Sequence, residues 1–137
     1  EGLDGQWVGK GSAYVNNLGN VRAGCRFGVD GNGSQLMMDG SCGIGPLRGG
    51  LGLKLNISAT GSVSGTYTGS RSGPATLSGR IDGDILRMQI EWAGVVNGDR
   101  AAEMILQRTG ENSFSQVVFD IVGGETRRTS DFDFVRR

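Results

Sequence analysis

The chain has 137 residues, 26 of them glycine, with two prolines, two cysteines and no histidine, and its 14 basic residues balance 14 acidic ones. A zero net charge gives no electrostatic pull toward nucleic acid or an anionic membrane surface. Without histidine there is no Ser-His or Cys-His nucleophile pair and no imidazole to bind a metal, so neither catalysis nor a cofactor is expected.

Period-2 alternation runs from end to end and predicts strands with one apolar face. The first phrase, LDGQWVGKGSA from Leu3, places Gly5, Trp7 and Gly9 on one face. Val21, Ala23, Cys25, Phe27 and Val29 follow with polar residues between them, then Leu36, Met38, Gly40 and Cys42. Leu51, Leu53, Leu55 and Ile57 continue the pattern into a second Gly-aromatic-Gly phrase, VSGTYTGSRSG from Val63. That phrase aligns with the first as Leu3/Val63, Gly5/Gly65, Trp7/Tyr67, Gly9/Gly69 and Ser12/Ser72, which reads as two strands bending sharply past a ring. Ala75, Leu77, Gly79 and Ile81 come next, then Leu86, Met88, Ile90 and Trp92, then Ala102, Met104 and Leu106. The last two faces read as Val117, Phe119, Ile121 and as Phe132, Phe134, which turns Val118 outward beside Met37 and Ile105.

Turn chemistry separates these runs at DGNG (30–33), DGD (82–84), NGD (97–99), GEN (110–112) and Gly123-Gly124. The longest irregular stretch is GIGPLRGG (43–50). The whole chain, 1–137, reads as one all-β domain: an antiparallel up-and-down meander of about eight to ten strands, ten being favoured. Such a sheet hides its edges by closing into a barrel, and the glycines inside its strands suit strong coiling. Alternation by itself leaves open an inverted barrel with its apolar face on lipid.

Around the DGNG turn, pairing Val29 with Met38 sets Cys25 opposite Cys42; a tighter turn makes them diagonal neighbours. Either geometry suits a disulfide, with two reduced core cysteines as the alternative. A disulfide points to an oxidising compartment, hence a periplasmic or secreted protein whose signal peptide has been removed. No metal is expected. DGNGS has the look of a calcium loop, but Ser41 stands where the bidentate Glu belongs. Asp131 and Asp133 fall on the polar face, as solvated charges. Arg108 and Arg136 extend apolar faces by one step. With an even strand count, Arg136 comes beside Trp7 at the same barrel end as Arg108, a cation–π closure or else an anion site.

Gly5-Gln6-Trp7 resembles the Gly-x-Trp of the lipocalin first strand, and Arg136 resembles the last-strand arginine that packs across that tryptophan. Leu3-Asp4-Gly5-Gln6-Trp7-Val8 with a cysteine pair on early strands is similar to bacterial inhibitors of secreted metalloproteases, in which a free N-terminal segment enters the protease. GTYTG (65–69), LSGRIDGD (77–84) and a strand ending in Trp92 resemble avidins. Trp7 and Trp92 alone do not reproduce the avidin aromatic box, so biotin binding does not carry over. These resemblances imply a calycin-like barrel, and the lack of histidine and of a catalytic motif makes an enzyme the least expected class. Its interior would hold a small apolar or amphipathic ligand, with Met38, Tyr67, Met88, Trp92 and Met104 as candidate liners. The alternative is a filled barrel that meets a protein partner through its loops.

Overall fold

The structure, a computed structural model, describes residues 3–15, 18–44, 46–69, 73–96, 99–122 and 124–137, and of 93–96, 99–100 and 121–122 the backbone alone. The Glu1-Gly2 start, Gly45, Ser72, the Asn97-Gly98 turn, Gly123 and the Ile121 side chain lie outside what is described. Ten strands follow one another: β1 (Gly5–Val15), β2 (Gly19–Gly31), β3 (Gln35–Ile44), β4 (Leu47–Ile57), β5 (Ser62–Thr68), β6 (Ala75–Asp82), β7 (Ile85–Val96), β8 (Asp99–Gly110), β9 (Ser113–Val122) and β10 (Glu125–Arg136). Each pairs antiparallel with its neighbours in sequence, and β1 pairs with β10, closing the barrel. Among the described residues no helix is long and apolar enough to cross a membrane.

The apolar face of the alternation turns inward. Trp7, Leu55, Met88 and Ile90 are the largest side chains buried completely, each contributing about 1.5–3 kcal/mol by leaving water. Arg, Lys, Asp, Ser and Thr occupy the outer face, where Arg87, for instance, approaches Glu103 across the β7–β8 seam. The β2–β3 pairing is Val29↔Met38, Phe27↔Gly40, Cys25↔Cys42. Cys25 and Cys42 therefore stand directly opposite, with Cα atoms 4.1 Å apart, and form a disulfide.

Two readings of the sequence need correction. GIGPLRGG (43–50) is not an irregular loop: β3 runs to Ile44 and β4 starts at Leu47, with those two residues paired. Gly43 lets this hairpin close tightly, because a Cβ there would overlap the Leu47 carbonyl oxygen. A run of glycines hides a strand from any pattern based on side chains. The second correction concerns β9. Val118 is buried at 7 % exposure, with Phe114 and Asp120 on the same side, whereas Val117 and Phe119 face outward. The β8–β9 register decides this, since it sets Phe114 opposite Arg108, Gln116 opposite Leu106 and Val118 opposite Met104. Outside, Phe119 is covered by the Arg128 guanidinium at 5.4 Å.

Close strand approach explains the inner-face glycine in the second aromatic phrase. A Cβ on Gly65 would overlap the Lys54 carbonyl oxygen of β4, which is backbone and can move only by opening the β4–β5 seam. Gly49, by contrast, faces open space. Gly65→Ala is expected to lower stability by about 3 kcal/mol through overpacking. Gly49→Ala should stay within about 0.5 kcal/mol of the parent. Urea midpoints for the two variants measure the difference.

Candidate functional site

The two ends of the barrel differ. At one end the chain termini and the β2–β3, β4–β5, β6–β7 and β8–β9 turns gather; Trp7 lies beneath them at 1 % exposure. Its indole Nε1 donates to the Leu3 carbonyl at 2.8 Å. Arg136, its register partner across the closing seam, holds its guanidinium 4.6 Å from the indole centroid. That guanidinium donates to Asn112 Oδ1 at 2.9 Å, to the Asp4 carbonyl and to the Glu111 carbonyl, tying both chain ends to the β8–β9 turn. Arg108 donates to the Gly110 and Glu111 carbonyls of the same turn. Both arginines are thus engaged with backbone acceptors, the arrangement of a closure.

From Trp7 a column of rings descends along the β1/β10/β9 wall. Phe114 meets Trp7 edge-on with centroids 4.8 Å apart, and Phe134 stacks on Phe114 at 4.8 Å and 13°. Phe27 and Phe132 flank Phe134. Gly9 makes room for this column, because a Cβ there would run into the Phe134 ring.

At the opposite end the described residues leave a second kind of interior. A cavity of about 350 Å³ enters between the β1–β2 and β3–β4 hairpin tips, past Val15, Val21 and Ile44, and reaches Phe114. Its walls are predominantly apolar, and no charged side chain is among its described lining residues. The disulfide forms part of one wall. A second cavity, about 360 Å³, lies toward the Trp7 end, lined among others by Leu3, Leu36, Ile81 and Arg108. Met38, Leu106 and Phe114 line both, so they form a waist between two compartments.

Of the five liners expected from the sequence, Met38, Tyr67 and Met104 face the open cavity. Met88 and Trp92 do not line it. Met88 is packed into the wall at 1 % exposure, and Trp92 sits edge-on to Tyr67 with centroids 6.1 Å apart. The indole Nε1 of Trp92 has no hydrogen-bond partner among the described residues.

Two polar lining residues escaped the sequence reading altogether. Gln116 of β9 and Ser130 of β10 enter the cavity, and the serine hydroxyl donates to Gln116 Oε1 at 2.8 Å. Ser130 shares the inward phase of Phe132 and Phe134 on β10, and the β9–β10 register shift between Arg128 and Ser130 begins just beyond it. The signal was present in the hairpin: counting back across the GEN turn from Arg108↔Phe114 puts Gln116 inside.

Tyr67 is the remaining polar group in the walls. Removal from water pushes its phenol above the ordinary value of 10.0. The folded protein therefore holds this proton more tightly than the unfolded chain does. The contribution of Tyr67 is fully present below about pH 10 and is lost as the pH climbs through the raised folded value. Thermal melts between about pH 9 and 11 should fall less steeply for Tyr67→Phe than for the parent. At the closed end, Arg136→Ala should cost about 2 kcal/mol, with Arg136→Lys intermediate because it keeps the charge and loses the fork. Denaturant titration of the two variants distinguishes them.

No family model matches this chain, and no curated protein does. Among solved structures, the crystal structure of Rv2717c from M. tuberculosis is similar, with a TM-score of 0.72 over all of this chain and 94 % of that one, at 14 % sequence identity. At that identity the likeness is one of fold: a closed ten-strand antiparallel barrel.

Proposed function

We propose that this barrel is a non-enzymatic, exported binding protein that holds a small apolar or amphipathic ligand, lipocalin-fashion, in the open cavity. The observation that carries the reading is the cavity itself. A ten-strand wall whose inner face is rich in glycine, alanine and methionine leaves about 350 Å³ unfilled, within the range of small-molecule sites. Its apolar lining excludes water from a ligand's hydrocarbon surface, at about 25 cal/mol per Å² buried. Met38 and Met104 add walls that adapt to shape. Arg136 over Trp7, with Gly5 at the start of the same strand, supports the lipocalin likeness. The Cys25–Cys42 disulfide supports export to a periplasmic or secreted setting. The absence of histidine in the sequence supports binding without turnover.

A second reading has its own observation. Leu18, Ile44 and Leu47 are exposed at 70, 47 and 77 % on the neighbouring β1–β2 and β3–β4 hairpins. An apolar rim of this kind favours a protein partner, as an inhibitor-like module would have, docking over the mouth.

Native mass spectrometry of undenatured protein, with a solvent extract of the same preparation, separates the two. An extra mass of roughly 150–400 Da that moves into the extract is expected for a cavity of this size. A bare chain from every preparation, unchanged after incubation with short-chain ketones and alkylbenzenes, would overturn the cavity reading in favour of the rim.

A further inference from the structure

The open cavity contains one built polar feature on its β9–β10 wall, and its hydrogen-bond inventory is unequal. Ser130 spends its hydroxyl proton on Gln116 Oε1. The carboxamide oxygen of Gln116 is thereby engaged, while among the described residues its N–H₂ group has no protein acceptor. Two contacts hold this amide in place: the hydroxyl of Ser130, which faces inward in phase with Phe132 and Phe134, and the β8–β9 pairing that sets Gln116 against Leu106. An occupant that covers this donor without accepting a hydrogen bond from it leaves the donor unpaired, a heavier penalty than a hydrogen bond ordinarily returns.

We infer that the Gln116 carboxamide is the specificity-determining anchor of the cavity, selecting an uncharged ligand that carries a carbonyl acceptor (a ketone or an ester) among otherwise apolar atoms. The charge state follows from the walls. With no lysine, arginine or acid among the described lining residues, an ionised carboxylate or amine would be buried without compensation. A pure hydrocarbon fits the walls but forfeits the amide. The inference rests on the binding reading above and adds the chemistry of the occupant.

The test compares two probes with equal numbers of non-hydrogen atoms, propiophenone and n-butylbenzene, on the parent protein and on Gln116→Met, which keeps the side chain's length and flexibility. Dissociation constants come from NMR titration of the protein's methyl signals. Loss of the amide should weaken propiophenone about tenfold and leave n-butylbenzene unchanged or several-fold tighter. If the variant shifts both probes by the same factor, or neither, the anchor is overturned while the apolar cavity stands. If neither probe binds the parent at saturating concentration, the cavity reading and the anchor fall together. Should Gln116→Met not fold, Ser130→Ala replaces it: releasing the amide from its orienting partner must still discriminate against the ketone, and equal effects on both probes refute the inference.

Discussion

Closure of β1 on β10 is the constraint on which the rest of the barrel depends. Each of the other seams joins strands adjacent in the chain, whereas this one joins the two ends of the chain and so must overcome the entropy of the whole meander. Its composition reflects that burden. Gly9 and Gly11 of β1 face Phe134 and Phe132 of β10, and a side chain at either glycine would strike the opposite strand's ring or backbone. The strand without side chains lets the strand with rings lie close, and those rings supply the burial that repays the closure. Trp7 and Arg136 lock the end of this seam, the indole beneath and the guanidinium above, with Asn112, Asp4 and Glu111 as acceptors.

The same economy produces the cavities. Concentrating aromatic mass along β1, β9, β10 and the adjoining β2 fills one sector of the interior, as the Trp7–Phe114–Phe134 column shows. Farther along β1 and β2 the inner face carries Ala13 and Ala23, which cannot reach the middle of a ten-strand ring. Met38, Leu106 and Phe114 do reach across and form the waist. The barrel is consequently pinned at the end where β1 starts and β10 finishes, and among the described residues the apolar cavity lies toward the other.

How much of this was legible follows from what each signal measures. Alternation reports which residues share a face, and it reads well where side chains are large and the strand unbroken. β2, with Cys25, Phe27 and Val29, and β7, with Leu86, Met88 and Ile90, are such cases. A glycine-rich strand start such as Leu47–Gly50 gives alternation nothing to register. β9 fails for the opposite reason: both of its faces are apolar enough to compete. Val117 and Phe119 form the stronger hydrophobic set, yet the hairpin register places Phe114, Gln116, Val118 and Asp120 inside. The pairing of β9 with β8 and β10 is collective, so it overrides the preference of a single strand. The cavity liners divide on the same principle. Met38, Tyr67, Met88 and Met104 share one inward face in the sequence, but whether a side chain meets empty space or a neighbour depends on the filling of its sector.

The inward face of β9 is where the chain departs from consistency between local pattern and global fold. Phe114 and Val118 alternate with Gln116 and Asp120, polar residues on a face that the described residues of the other strands keep largely apolar. A barrel selected only for a filled core gains nothing from an amide there. Leucine in its place would add burial and remove the need for a hydroxyl partner. Natural sequences tend to break local rules at functional sites and to compensate elsewhere. Here the compensation is visible on the other side of the same strand, where Arg128 covers the displaced Phe119. A polar group kept inside at that cost, bonded on one side and open to the cavity on the other, is better suited to meeting an occupant than to supporting a wall.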